Sequence, residues 1–395
     1  MTPLQLERQH LLPEWRSTLE FFLTHPVAQQ LQQRLNARQA VSCSGLVGSS
    51  RVLLALSTWD QSPVPVVWLT ASSESAERLT QDLRGLLGAE HSQQILHFPD
   101  RDESEVGAID PARVAILDRL SHASAGFIIC SIRALLQTTM SPDQLHSGRL
   151  ELKVGELIDR DTIIELLSSE GYSRVNMVER RAEYSLRGGI LDIFPVTGDP
   201  VRLELFGDEI ESIRIFDRDS QRSLLEIKSV EVLPAKEAEE GKRLSDFLPV
   251  GTRVVLEEPT QIKLSAMEWA HEGWGGQWGD VLGLLSGFQS IYFTTWSNPN
   301  WDSIAMPEHS LEFESQAQVG FANRVEGLMK ALPELQNKGH QSLLVSLQHS
   351  RLRELCQEQG LAVASSEAPW GPGQLKVAHG SLSEGFRLQF PDSSL

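Results

Sequence analysis

Over residues 171–222 apolar and polar residues alternate with period two, and turn formers break the pattern at close intervals, which leaves little besides a small antiparallel sheet. Alternation puts Val201, Leu203 and Leu205 on one face and Arg202, Glu204 and Phe206 on the other. A phenylalanine closing a polar stripe is either a satellite core residue or part of a contact patch, and an arginine on the same face favours contact. The preceding strand, 189–194, is introduced by Arg187-Gly188-Gly189 and stopped by Pro195. Paired glycines permit positive φ or close backbone approach, and proline ends ladder donation. Residues 196–200 (Val-Thr-Gly-Asp-Pro) are turn formers of hairpin length, so Arg187 and Arg202 flank one hairpin. A third strand, 210–216, follows Gly207-Asp208-Glu209, with Ile213 and Ile215 alternating against Ser212 and Arg214.

The flanking sequence has a different rhythm. Residues 1–40 show helical spacing (Trp15, Leu19, Phe22, then Val27, Leu31, Leu35) interrupted at His25-Pro26. Short apolar strands at 39–44, 66–70, 95–98 and 127–130 alternate with helices at 75–87 and 111–120, the pattern of a parallel, doubly wound α/β sheet. The first strand leads into a glycine turn and then a helix, the setting of a phosphate loop. Against G-x-x-x-x-G-K-[ST], Gly45 fits, and Gly48 lies inside the loop. Ser50 replaces the second glycine, Arg51 the lysine and Val52 the magnesium-ligating hydroxyl. The expectation is a structural turn with at most an anion at the helix N-terminus. No strand is expected to end in a DExH-like sequence, so a helicase's metal-holding and water-activating acids are expected to be missing. The acidic run 100–105 reads as a solvated loop.

Residues 142–149 read as a linker into the central module, whose first strand is 150–154, whose helix lies near 162–169 and which closes at 230–235. After a charged connector at 236–243, strands are expected at 253–256, 291–293 and 342–347, and helices at 261–270, 319–331 and 350–358. Trp269, Trp274, Trp278, Trp296 and Trp301 lack interleaved basic residues and are expected to pack. Histidines 271, 309, 340, 349 and 379 are scattered, so no metal site is expected.

At 395 residues the chain predicts two or three folded units. Lys+Arg 35 against Asp+Glu 53 gives a net charge of −18, which opposes non-specific nucleic-acid binding and favours a protein partner. A DNA-binding module using Arg180, Arg181, Arg187 and Arg202 is the weaker alternative. Cys43, Cys130 and Cys356 lack ligand spacing and suggest buried thiols in a reducing compartment. With no signal-peptide pattern and no apolar run of membrane length, a cytoplasmic protein is expected.

Gly171-Tyr172, the run from Arg187 through Pro195, residues 202–206, 207–214, Phe216-Asp217 and Gln221-Arg222-Ser223 resemble the module shared by UvrB and the Mfd family of bacterial transcription-repair coupling factors. Phe98-Pro99-Asp100, Pro234-Ala235-Lys236-Glu237, His379-Gly380-Ser381-Leu382 and Gly385-Phe386 extend the resemblance, and the degenerate loop favours the coupling factors. The resemblance implies a degenerate helicase-like (P-loop NTPase-like) domain over residues 1–148, interrupted by a UvrA-binding module over 149–235 and completed by 236–395. The family's UvrA contacts would correspond to Arg187, Arg202 and Phe206. It also implies a non-catalytic adaptor without a cofactor, recruiting UvrA in nucleotide excision repair. The family's polymerase-binding domain, DNA translocase and C-terminal domain are not matched here, so RNA polymerase and DNA would be met only through such regions. The alternative is a UvrB-like damage-binding ATPase.

Overall fold

The computed structural model describes residues 13–101, 110–122, 126–236, 242–271, 278–296, 307–318 and 325–390. The chain divides into two compact units, one of Met1–His97, Ala125–Arg133 and Pro249–Leu395, the other of Phe98–Ser124 and Ala134–Leu248.

Helices α1 (Pro13–Leu23) and α2 (Pro26–Asn36) break where the sequence predicts, because Pro26 takes the first position of α2 and His25 Nδ1 accepts the Val27 N–H as its cap. Trp15, Leu19, Phe22, Leu31 and Leu35 are buried. Then follow β1 (Val41–Ser44), α3 (Ser50–Gln61), β2 (Val66–Thr70), α4 (Ser73–His91), β3 (Ile95–Phe98), α5 (Pro111–His122), β4 (Phe127–Ser131) and α6 (Ile132–Leu136). Every residue of β1, β2 and β4 is buried, as expected of parallel strands covered on both faces. Residues 142–149 are not a linker: Ser141 and Gln144 form a capping box that starts α7 (Pro142–Ser147). The acidic run 100–105 lies mostly outside the described residues.

The second unit contains β5 (Leu150–Lys153), α8 (Arg160–Ser169), β6 (Ser173–Arg174), β7 (Glu183–Arg187), β8 (Ile190–Phe194), β9 (Val201–Phe206), β10 (Glu209–Phe216), β11 (Ser223–Ile227) and β12 (Ser229–Val232). The meander read from the sequence is the centre of a six-stranded sheet, β11-β10-β9-β8-β7-β6, antiparallel except for the parallel pair β6 and β7. Asp159 caps α8, whose Ile163 and Leu167 are buried, as are Leu191, Ile193, Val201, Leu203, Ile210 and Ile213 of the sheet. Strands β5 and β12 pair antiparallel as a separate ribbon.

In the first unit the chain continues as β13 (Arg253–Glu257), α9 (Pro259–His271), α10 (Trp278–Leu285), β14 (Gln289–Thr294), β15 (His309–Glu312) and β16 (Ser315–Gln318). Helix α11 (Val325–Asn337), β17 (Ser342–Ser346), α12 (His349–Glu358), β18 (Leu375–His379) and β19 (Gly385–Leu388) complete it. The main sheet runs β15-β1-β14-β13-β2-β4-β3, and strands contributed by distant parts of the chain pair in parallel. The strand expected at 342–347 forms instead a separate parallel pair, β17 with β18, over a small core of Leu328, Leu332, Cys356, Leu361 and Leu375. The helix expected at 319–331 is described only from Val325. Trp269 and Trp278 are buried as expected, but Trp296 is 77% exposed; Trp274 and Trp301 lie outside the described residues. Cys43, Cys130 and Cys356 are buried free thiols. Among the described residues no helix is long and apolar enough to cross a membrane.

Candidate functional site

Two places gather the residues singled out in the sequence, one in each unit. In the second unit, β7 and β8 are joined by Gly188-Gly189, with Gly188 at φ +63°. A Cβ on Gly189 would stand 2.8 Å from the Leu205 carbonyl oxygen, so the close approach that lets Leu205 N–H bond Gly189 requires glycine. The next hairpin fixes the register Ile193 to Val201, Asp192 to Arg202, Leu191 to Leu203 and Ile190 to Glu204. Residues opposite one another share a face, so Asp192 lies with Arg202, away from the apolar side.

Asp192 is nonetheless fully buried, because guanidinium groups cover it. Arg202 grips it with a fork, Nε donating to Oδ1 at 2.6 Å and Nη2 to Oδ2 at 3.0 Å, while Arg187 Nη2 donates to Oδ2 at 2.9 Å. Arg202 also donates to the Gln221 carbonyl at 3.3 Å and lies over the Phe216 ring at 4.9 Å. The bond to Asp192 raises the Arg202 pKa above its ordinary value. Two positive charges thus share one carboxylate, and the Arg187 side chain stays 54% exposed against 18% for Arg202. On the same face Glu204 accepts from Ser212 Oγ and Arg214 Nη1, each at 2.8 Å. Phe206, ending β9, is 78% exposed, which rules out the satellite-core reading. Arg181 is tied up elsewhere: its Nη1 donates to the carbonyls of Pro195, Val196 and Gly198, and it lies over Phe194.

The sequence reading singled out Arg187, Arg202 and Phe206 but missed the residue that holds the two arginines together. A lone aspartate inside Ile190-Leu191-Asp192-Ile193-Phe194 was the available signal. Counting back across the hairpin would have placed it opposite Arg202.

In the first unit, Gly45, Gly48, Ser50, Arg51 and Val52 occupy the turn after β1 and the first turn of α3. Gly45 has φ +73°, and a Cβ there would meet the Phe313 carbonyl oxygen at 1.8 Å. Three N–H groups of this turn are bonded within the chain: Val47 donates to Ser315 Oγ, Ser49 to the Glu384 carbonyl and Ser50 to the Val47 carbonyl. Asp82 anchors the turn, accepting from Ser49 Oγ, Ser383 N–H and Ser383 Oγ, and burial raises its pKa above the usual carboxylate value. Buried Arg51 donates to the carboxylates of Glu257 and Glu258, to Thr295 Oγ1 and to the Leu46 carbonyl. Strand β13 ends at Glu257 and Glu258 follows it, so the run here is Glu-Glu-Pro-Thr and not a DExH-like sequence. The acids neutralise Arg51 at the floor of a cleft of about 750 Å³ that Asp82, Trp68, Leu264 and Trp296 also line.

Residues 150–237 match the family model of the UvrB interaction domain, which contains Asp192, Arg187, Arg202 and Phe206. The chain is 32% identical over 201 residues to a transcription-repair-coupling factor of Bacillus subtilis, 33% over 223 residues to that of Myxococcus xanthus and 31% over 225 residues to that of Escherichia coli. These stretches cover 49%, 54% and 55% of this chain but only 17%, 18% and 19% of those proteins, so it matches less than a fifth of their length. Together the domain match and these similarities relate about half of the chain to the transcription-repair-coupling factors, with a UvrB interaction domain at residues 150–237.

Proposed function

We propose that this chain is an adaptor that recruits UvrA of nucleotide excision repair to sites of stalled transcription, through the face built on Asp192. The observation that carries the reading is the arginine pair seated on one fully buried carboxylate, beside a phenylalanine left 78% exposed. Fixing the guanidiniums in advance reduces the side-chain entropy lost on binding, and charged forks around an aromatic anchor have the composition of an interface hot spot. The first unit serves as scaffold in this reading, a P-loop NTPase-like domain without catalysis. Its parallel order β1-β14-β13-β2 and the turn-to-helix passage after β1 support that kinship. Bonded N–H groups in the turn, and a cation in the lysine position already held by Glu257 and Glu258, speak against a phosphate there.

The test is calorimetric titration of the chain with purified UvrA. Arg187→Ala, Arg202→Ala and Phe206→Ala should each weaken binding by at least ~1 to 2 kcal/mol with folding retained. Unchanged affinity in all three sinks the proposed face. Saturable ATP binding by the wild-type chain would instead support the UvrB-like ATPase. A steeply salt-dependent affinity for DNA would favour the nucleic-acid reading, which the sharing of Asp192 by Arg187 and Arg202 weakens.

A further inference from the structure

The segment between β5 and α8 adds a rung to the outer side of β10. Ile158 N–H donates to the Asp208 carbonyl at 2.7 Å and Ile210 N–H to that of Glu156 at 3.0 Å, bracketing an antiparallel bridge between Leu157 and Glu209. In such a bracketed pair the two residues do not bond each other, their Cα atoms stand about 4.5 Å apart and their side chains lie close on one face. Glu209 is in turn opposite Phe206 in the β9–β10 ladder. Leu157, Glu209 and Phe206 therefore form one row on one face, about 10 Å across two strand spacings. Ile190 belongs to that face too, opposite Glu204, two residues before Phe206.

Leu157 is 78% exposed, as Phe206 is, and Ile190 is 38% exposed. One exposed leucine is ordinary on a soluble surface. Three large apolar side chains on the face that also carries half-exposed Arg187 make a locally apolar patch with a guanidinium at its side, of the composition found in interface cores.

We propose that Leu157 is a second apolar anchor of the partner-binding face, so that UvrA meets a row running from Leu157 to Phe206 and sets carboxylates against Arg187. This rests on the UvrA reading above. It extends the surface to a segment that precedes α8 in sequence and joins β10 through the bridge to Glu209 and the Gly155 N–H bond to the Ile210 carbonyl.

The experiment is the calorimetric titration with purified UvrA, using wild type, Arg202→Ala, Leu157→Ser, Leu157→Met and Leu224→Ser. Leu224, also well exposed, sits on edge strand β11 outside the row and serves as the control. Leu157→Ser should weaken binding about tenfold with its melting temperature unchanged, whereas Leu157→Met and Leu224→Ser should stay within about threefold of wild type. Wild-type affinity in Leu157→Ser, with Arg202→Ala weakened, overturns the Leu157 assignment and leaves the adaptor reading standing. An equal loss in Leu157→Met and Leu157→Ser would place the effect in the backbone and also overturn it. No binding by the wild-type chain overturns the adaptor reading itself.

Discussion

Replacing Asp192 with asparagine keeps the size of the side chain and removes its charge, which isolates what the carboxylate does for the two arginines. Asp192 is fully buried and accepts three charge-assisted hydrogen bonds, two from Arg202 and one from Arg187. Breaking a buried ion pair costs about 3–5 kcal/mol when the surviving charge stays dry. The cost here is smaller, because half-exposed Arg187 can turn to water and Arg202 keeps the Gln221 carbonyl and the Phe216 ring. We expect about 2 kcal/mol for Asp192→Asn and about 3 kcal/mol for Asp192→Ala. At about 2–4 °C per kcal/mol for a unit of this size, calorimetry should show the transition of the second unit falling by about 4–8 °C for the asparagine variant. A double-mutant cycle should give a larger coupling of Asp192 with Arg202, which makes the fork, than with Arg187. On the proposed function, UvrA affinity should fall as well, since the guanidiniums lose their common anchor. A melting temperature within 1 °C of wild type, or equal coupling to both arginines, would refute this account of the face.

Further outcomes are expected in the first unit. His25 holds its neutral form, with Nδ1 accepting the Val27 N–H and Nε2 donating to the Gln389 carbonyl, and burial lowers its pKa below 6.5. The unfolded chain therefore takes up the proton first: stability is intact above pH 6.5 and is lost as pH falls through 6.5 toward the folded pKa. Melting curves from pH 7.5 to 5 should show this loss, and His25→Asn, which keeps a cap acceptor, should flatten it. Arg51→Met would leave Glu257 and Glu258 facing each other without their cation, costing about 3 kcal/mol, and a melting shift under 2 °C would contradict the described bonding. Gly45→Ala should be the most damaging of the set, since the added carbon would sit 1.8 Å from the Phe313 oxygen at a φ of +73°, and a soluble, wild-type-like melt would contradict the turn geometry.

How much of this could be read in advance differs between the two places. Period-two alternation suffices for the side of β9 that each residue takes, because a strand has only two sides, but it left Phe206 open between core and contact, and the 78% exposure decides it. Asp192 escaped because its importance is a matter of register: β8 taken singly makes it an odd acid among apolar residues, and only its place opposite Arg202 makes it a hub. Leu157 is invisible in the same way, since nothing within Gly155-Glu156-Leu157-Ile158 announces that the segment will lie beside β10. In the first unit the failed match at Ser50, Arg51 and Val52 was legible, but the fate of Arg51 was not. Its partners Glu257 and Glu258 lie more than 200 positions away and reach it only because β13 joins the same parallel sheet. Local pattern reveals faces and turns, while long-range pairing decides which charges meet.

The ribbon of β5 and β12 has a consequence for how such a module travels. Leu150, at the start of β5, lies directly opposite Val232, at the end of β12, so entry and exit of the intervening chain are one strand spacing apart. Tyr172 reinforces the closure, its hydroxyl donating to the Leu233 carbonyl from inside the enclosed segment. A cassette whose two ends already touch can be set into a host's surface loop without prying the host apart, since the host sees only a hairpin stem. The same geometry lets it be cut out and replaced by a tight turn, leaving the rest of the chain to close over the gap. Otherwise unlike proteins can thus carry the same module.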